Sequence, residues 1–457
     1  GGRMVKWKGR VASLAPALAS VSVVALMATG AVGQTVITGT NVTQLITVDE
    51  DITVSGHVNI LDSVNYNLDL VAVDTGSDYA STFINNGVIE GNIAYTSGID
   101  TGAVVGLTIY NGLAGSVVNN GEISLDLISN DSTDPSATGV WIDGDVSGSI
   151  LNAGTISATM STSYSTALAY GLYVTGSVTD TGSITNSGTI SATARSDSDA
   201  ASAYGIYLGF DSGDLAGAVT NTAGGVISVL AHSGNYTAMA EGIYLSGDVT
   251  DTGSITNAGS ISVTADAEYE YYGIAYGIET GDMAGLIDNT GSITVLAHGA
   301  SESATAYGIS VNDVSGTISN GGVITVTANQ GTESRAFALG IDAGDLSGTI
   351  LNTGTISVVA NASTDNASAY GVSVNSVTEA GSISNQGLID VSAQQLSSYA
   401  YAYGIYVSND LDGNISNTGD IMVDAVMTDA YGGSAAGIYV GGDVNGAITN
   451  SGATMFV

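Results

Sequence analysis

One phrase recurs at a near-constant interval, and that interval restricts the fold more than any other property of the chain. "GSITNSGTISATA" runs from Gly182 to Ala194 and "GSITNAGSISVTA" from Gly253 to Ala265. Its asparagine recurs as Asn85, Asn119, Asn152, Asn186, Asn221, Asn257, Asn289, Asn320, Asn352, Asn385, Asn417 and Asn450, a mean spacing of about 33 residues. Four positions on, with two extra residues after Asn221, stands isoleucine: Ile89, Ile123, Ile156, Ile190, Ile227, Ile261, Ile293, Ile324, Ile356, Ile389 and Ile421. An active site has no use for an apolar column of that length, whereas a stacked core requires one.

A second phrase keeps the same period: "AYGLYV" at Ala169, "AYGIYL" at Ala203, "AEGIYL" at Ala240, "AYGISV" at Ala306, "AYGIYV" at Ala402 and "AAGIYV" at Ala435. Apolar residues alternate with period two inside each repeat, the pattern of half-buried strands, and no run is long enough for a helix. In residues 169–202 this predicts strands at Tyr170 to Val174, Ser183 to Asn186 and Thr189 to Ala194, with a turn at Gly176 to Gly182 and a corner at Ser187-Gly188. Gly188 suits a positive φ at that corner, and Asn186 a left-handed or side-chain-capped turn.

Three short strands and three bends per period describe one turn of an all-β, single-stranded parallel β-helix (β-solenoid). Leu172, Ile184, Ile190 and Ala192 should point inward, and Tyr173, Thr185, Ser191 and Thr193 outward. A lone turn cannot bury its inward residues; turns stacked about 4.8 Å apart bury a continuous column and pair each other's backbones. About twelve rungs of about 33 residues would make a rod of roughly 55 to 60 Å. The asparagines should form an internal amide ladder at one corner.

Charge and termini add a location. Of six basic residues, Arg3, Lys6, Lys8 and Arg10 precede the apolar run "VASLAPALASVSVVALMATGAVG", the layout of a secretory signal peptide. Residues 1–33 are therefore expected to be a signal peptide with a short N-terminal extension, 34–84 an irregular N-terminal cap, and 85–457 the repeat array, truncated at its C-terminus. Without residues 1–33 two basic residues face 43 acidic ones, a net charge of −41, which repels nucleic acid and anionic lipid. With no Cys, stability must come from burial and backbone hydrogen bonds.

"GSITNSGTI", repeated behind an export signal in a chain rich in Gly, Thr and Asn, resembles the passenger region of Gram-negative autotransporters (type V secretion) over about residues 34–457. The resemblance implies a right-handed β-helix at the cell surface or released from it. It further implies an adhesive or self-associating role, with a host surface, a glycan or another copy as partner. A C-terminal outer-membrane β-barrel translocator would complete such a protein; the sequence contains no barrel pattern.

Three features are candidates for chemistry. The turn after the Tyr-Gly strand carries Asp145, Asp214, Asp248, Asp282, Asp313, Asp345, Asp410 and Asp443, with Ser177 and Ser376 in two repeats. Carboxylates at rung spacing repel unless screened or bridged, so Ca²⁺ is the cation such a column would take, although the spacing departs from the nonapeptide calcium repeat and Asp in a turn more commonly bonds local backbone. Trp141, Tyr173, Tyr207, Tyr244, Tyr406 and Tyr439 share an outward position suited to stacking on sugars, on a partner or on one another. Arg195, Arg335, His232 and His298 are placed in the variable loops after the third strand, the flank that often forms a contact face.

Catalysis draws less support from the residues. A glycan-cleaving β-helix enzyme is the alternative to a non-enzymatic stalk, and it needs converging carboxylates, with a basic residue for a lyase. Arg195 and Arg335 lie four repeats apart, about 19 Å along the axis, too far to share a site. Ser/His/Asp chemistry would need His57, His232 or His298 beside a special serine, and no nucleophile-elbow phrase occurs. The expectation is therefore no catalytic and no cofactor-binding residues.

Overall fold

The computed structural model describes residues 34–37, 44–47, 49–60, 68–95, 102–129, 134–210, 212–269, 271–332, 334–428, 432–451 and 455–456. The expected signal peptide lies outside them. Every described element is a strand, and the strands form three parallel sheets of 14, 13 and 13 members. One coil shows the plan: Ser183–Asn186 lies in the first sheet, Thr189–Ser196 in the second and Ala201–Leu208 in the third. Each strand pairs in register with its equivalent one repeat away, as Ile190 with Ile156 and Ile227, so the parallel β-solenoid expected from the period is what the chain forms.

The inward and outward assignments hold at the core. Leu172, Ile184, Ile190 and Ala192 are at most 1% exposed, while Tyr173, Thr185, Ser191 and Thr193 are partly exposed. A further buried column runs through the turn between the third and first sheets: Val146, Val178, Leu215, Val249, Met283, Val314 and Leu346 bridge in sequence. Each follows an Asp or Ser, so the turn is an outward polar residue followed by an inward aliphatic one. Burying a Val or Leu of this kind stabilises by about 1.5 to 3 kcal/mol.

The asparagine ladder is continuous. From Asn85 to Asn450 each Asn Nδ2 donates to the Oδ1 of the next, at 2.7 to 2.8 Å. The same Nδ2 also reaches a carbonyl, for example Asn152 to Thr189 O at 3.0 Å, so a buried amide finds two acceptors on the next coil.

Three expectations need correction or refinement. Gly188 does not adopt a positive φ; it is glycine because a Cβ there would lie 2.0 Å from the Gly154 carbonyl oxygen of the neighbouring coil. The third strand of the coil extends to Ser196, so Arg195, His232 and His298 sit on strands and not in loops. Alternation carries on because the inward Ser196 is satisfied, its Oγ donating to Ser165 O at 2.8 Å. Residues 34–84, expected as an irregular cap, supply strands to all three sheets, Gln34–Ile37 pairing with Asp51–Val54 and His57–Ile60 with Val88–Tyr95, in coils that lack the Asn corner.

Candidate functional site

The aspartate column follows the rungs as expected, and six of its eight carboxylates accept a backbone N–H from the next coil. Asp214 Oδ1 accepts from Asp248 N (3.0 Å), Asp248 Oδ1 from Asp282 N (2.8 Å), Asp282 Oδ1 from Asp313 N (3.2 Å) and Asp313 Oδ1 from Asp345 N (2.8 Å). Asp145 does the same for Ser177 N (2.8 Å) and Asp410 for Asp443 N (2.8 Å), while Asp345 accepts from Asn375 Nδ2 (2.7 Å). Ser177 substitutes in the chain of contacts, its Oγ accepting from Asp214 N at 3.1 Å. The bonds therefore reach the next coil, not the local turn. Asp214, Asp248, Asp282 and Asp313 line an open groove of about 390 Å³. Among the described residues no group of three or more His, Asp and Glu side chains gathers as a ligand set.

On the outer face of the second sheet, Arg195, His232, Asp266 and His298 occupy successive coils in register. Asp266 bridges the two histidines, Oδ2 to His232 Nδ1 at 2.9 Å and Oδ1 to His298 Nδ1 at 2.8 Å. Burial pushes the Asp266 carboxyl up, and the hydrogen bonds and charge of both histidines outweigh it, leaving it below the usual carboxylate range. His57 bonds Glu90 at 2.9 Å, and Arg335 bonds Asp365 at 3.3 Å. These histidines meet carboxylates, which is the arrangement of a solvated polar ladder.

The third sheet carries the most distinctive chemistry. Trp141, Tyr173, Tyr207 and Tyr244 are in register as expected, and Tyr406 and Tyr439 resume the column. A second aromatic row runs beside it: Tyr170, Tyr204, Tyr276, Tyr307, Tyr370 and Tyr403. Strict alternation would turn that row inward. It faces outward because the backbone kinks at the following glycine, whose missing Cβ and whose next residue both point to the core. A Cβ on Gly171 would lie 2.5 Å from Ile190 Cγ2 and 2.6 Å from Gly205 O. Rings of the two rows therefore touch, as Tyr170 with Tyr173 at 5.1 Å and Tyr403 with Tyr406 at 5.2 Å between centroids.

The aromatic face is broken at one place by acids. Glu241 replaces tyrosine in the inner row, and Glu279, Ser310, Asp342 and Ser373 replace it in the outer row between Tyr244 and Tyr406. Glu241 is 3% exposed and its Oε2 has no hydrogen-bond partner. Burial, reinforced by the charge of Glu279, holds the Glu241 carboxyl well above its ordinary range. Burial alone pushes Glu279 up to about 7; Asp342 is pushed up to about 6, against a hydrogen bond from Ser373. The pattern reasoning missed these residues, although the departure of "AEGIYL" from "AYGIYL" marks the first of them.

Comparison with protein-family models, with curated proteins and with solved structures finds no match at a meaningful level for this chain.

Proposed function

We propose that this chain is the exported, non-enzymatic stalk of a surface adhesin, of the kind found as an autotransporter passenger in a Gram-negative bacterium. On this reading it is a right-handed β-helix anchored through a translocator barrel, and it mediates attachment or self-association at the cell surface. The observation that supports it is the uniformity of the faces. Asn, Ile and Gly columns repeat coil after coil, and Asp and Tyr columns recur with interruptions, which suits a rod that presents one extended surface. The double aromatic row supplies large, rigid contact area of the type that binding surfaces use.

A glycan-cleaving enzyme is the second reading, favoured by Glu241 and Glu279, two acids of unequal burial within an aromatic surface that could hold a sugar. One pair of assays separates the two. Cells displaying the chain ahead of a translocator barrel are expected to aggregate or adhere more than cells displaying the barrel alone, and to lose that gain when Tyr173 and Tyr207 become serine. The purified chain is expected to release no reducing sugar from acidic polysaccharides. Release that disappears in Glu241→Gln would overturn the stalk reading in favour of the enzyme.

A further inference from the structure

We propose that the break in the aromatic face is a binding site for a small organic ammonium ion, held between Glu241 and Glu279 with tyrosine rings as its walls. The inference does not depend on the surface-stalk reading. Glu241 and Tyr244 stand on one coil, Tyr276 and Glu279 on the next, and register pairs Glu241 with Tyr276 and Tyr244 with Glu279. The two acids thus occupy one diagonal of a square and the two tyrosines the other. Tyr204 closes the square on one side of Glu241, and Tyr307, stacked 4.7 Å from Tyr276, extends it on the other. Ser310, the small register partner of Glu279 on the next coil, sets no ring over it, and Glu279 is half-buried and reachable from solvent.

What the square lacks is a positive group with a hydrogen to give. Glu241 Oε2 is buried without a donor, an arrangement that costs free energy as it stands. Beyond its first ten residues the chain has two strong cations, Arg195 on the second sheet and Arg335, which pairs with Asp365. Neither shares the third-sheet outer face with these acids. A primary ammonium would donate to the carboxylates while its alkyl part and charge lie against the ring faces of Tyr204, Tyr244 and Tyr276. A bare divalent ion fits poorly, since calcium takes six to eight oxygens and aromatic walls supply few.

Protonation competes with the guest, and this sets the pH arm of the test. The groups facing the two acids are Tyr170, Tyr204, Tyr244, Tyr276 and Tyr307, with Asp342 beyond. Each tyrosine is raised above its ordinary value, so the rings stay neutral through the working range. A carboxyl such as Glu279, raised from 4.5 to about 7, keeps its proton in the fold after the unfolded chain has lost it. Stability therefore falls as pH rises between those values. An ammonium guest favours the ionised form and should restore stability above that window.

The measurement is the melting midpoint of the chain in butylammonium chloride against sodium chloride at equal ionic strength. At pH 8 a saturable rise of about a degree or more is expected with butylammonium over sodium. It should fade as pH drops toward 4.5 and be absent in the Glu241→Gln, Glu279→Gln double variant. Glu279→Gln alone, at the half-buried position, serves if the double variant fails to fold, and should weaken the effect. Equal midpoints in the two salts at pH 8, or a butylammonium effect that survives these substitutions, would overturn the site.

Discussion

Gly205→Ala is expected to destabilise the fold by about 3 kcal/mol, seen as a lower urea midpoint. A Cβ at Gly205 would lie 2.5 Å from the Gly242 carbonyl oxygen, 2.5 Å from Ile227 Cγ2 and 3.1 Å from Val229 Cγ2. The isoleucine could change rotamer, but the carbonyl belongs to the ladder of the next coil and cannot move without breaking it. The same geometry recurs at Gly139, Gly171, Gly242, Gly277, Gly308, Gly340, Gly371 and Gly404, where the third sheet presses on the isoleucine column. Gly321→Ala is the matched control. Its Cβ would meet nothing closer than 3.5 Å and its φ is not positive, so its midpoint should stay within about 0.5 kcal/mol of the parent.

Asn257→Ala should cost about 2 to 4 kcal/mol by the same measurement. The Asn257 amide accepts from Asn221 Nδ2 at 2.8 Å and donates to Asn289 Oδ1 at 2.7 Å and Ser292 O at 3.1 Å. Truncation leaves a buried oxygen on Asn289 without its donor and breaks the ladder at mid-rod, where Asn257 and Asn289 are at most 1% exposed. The exposed pair Asn120 and Asn86, joined at 2.9 Å, has the same chemistry without the burial. Asn120→Ala should therefore change the midpoint by no more than about 0.5 kcal/mol. A similar loss at both positions would mean that the buried ladder is not a special source of stability.

Most of the architecture is legible in the sequence because it is periodic. The Asn and Ile columns specify the stack, and the order Ile184, Asn186, Ile190 specifies two sides and a corner of one coil. What escaped the pattern is where one coil touches the next. Gly188 and Gly205 are fixed by the approach of a neighbouring backbone, which a single repeat does not contain. The aspartates cap amides about 33 residues away, so a local reading of Gly-Asp turns places their bonds wrongly. The kink at glycine reverses the facing of Tyr170 and Tyr204, and with it hides the second aromatic row from strict alternation. The acid pair is visible only as two departures from the repeated phrase, Glu241 before a glycine and Glu279 after one. Architecture resides in what recurs, and the candidate site in what does not.

The central claim is that one repeat makes one coil, stacked in register, and disulfide trapping tests it directly because the chain has no Cys of its own. Ser228 and Ser262 are register partners on the outer face of adjacent coils, about 4.8 Å apart, within the span of a disulfide. Thr264 lies on the same face but pairs with Leu230, two positions further along, beyond easy reach of Ser228. Under mild oxidation the Ser228→Cys, Ser262→Cys chain should close an intramolecular disulfide, and the Ser228→Cys, Thr264→Cys chain should not. Efficient closure of the second pair with none in the first would contradict the register, and with it every column described above.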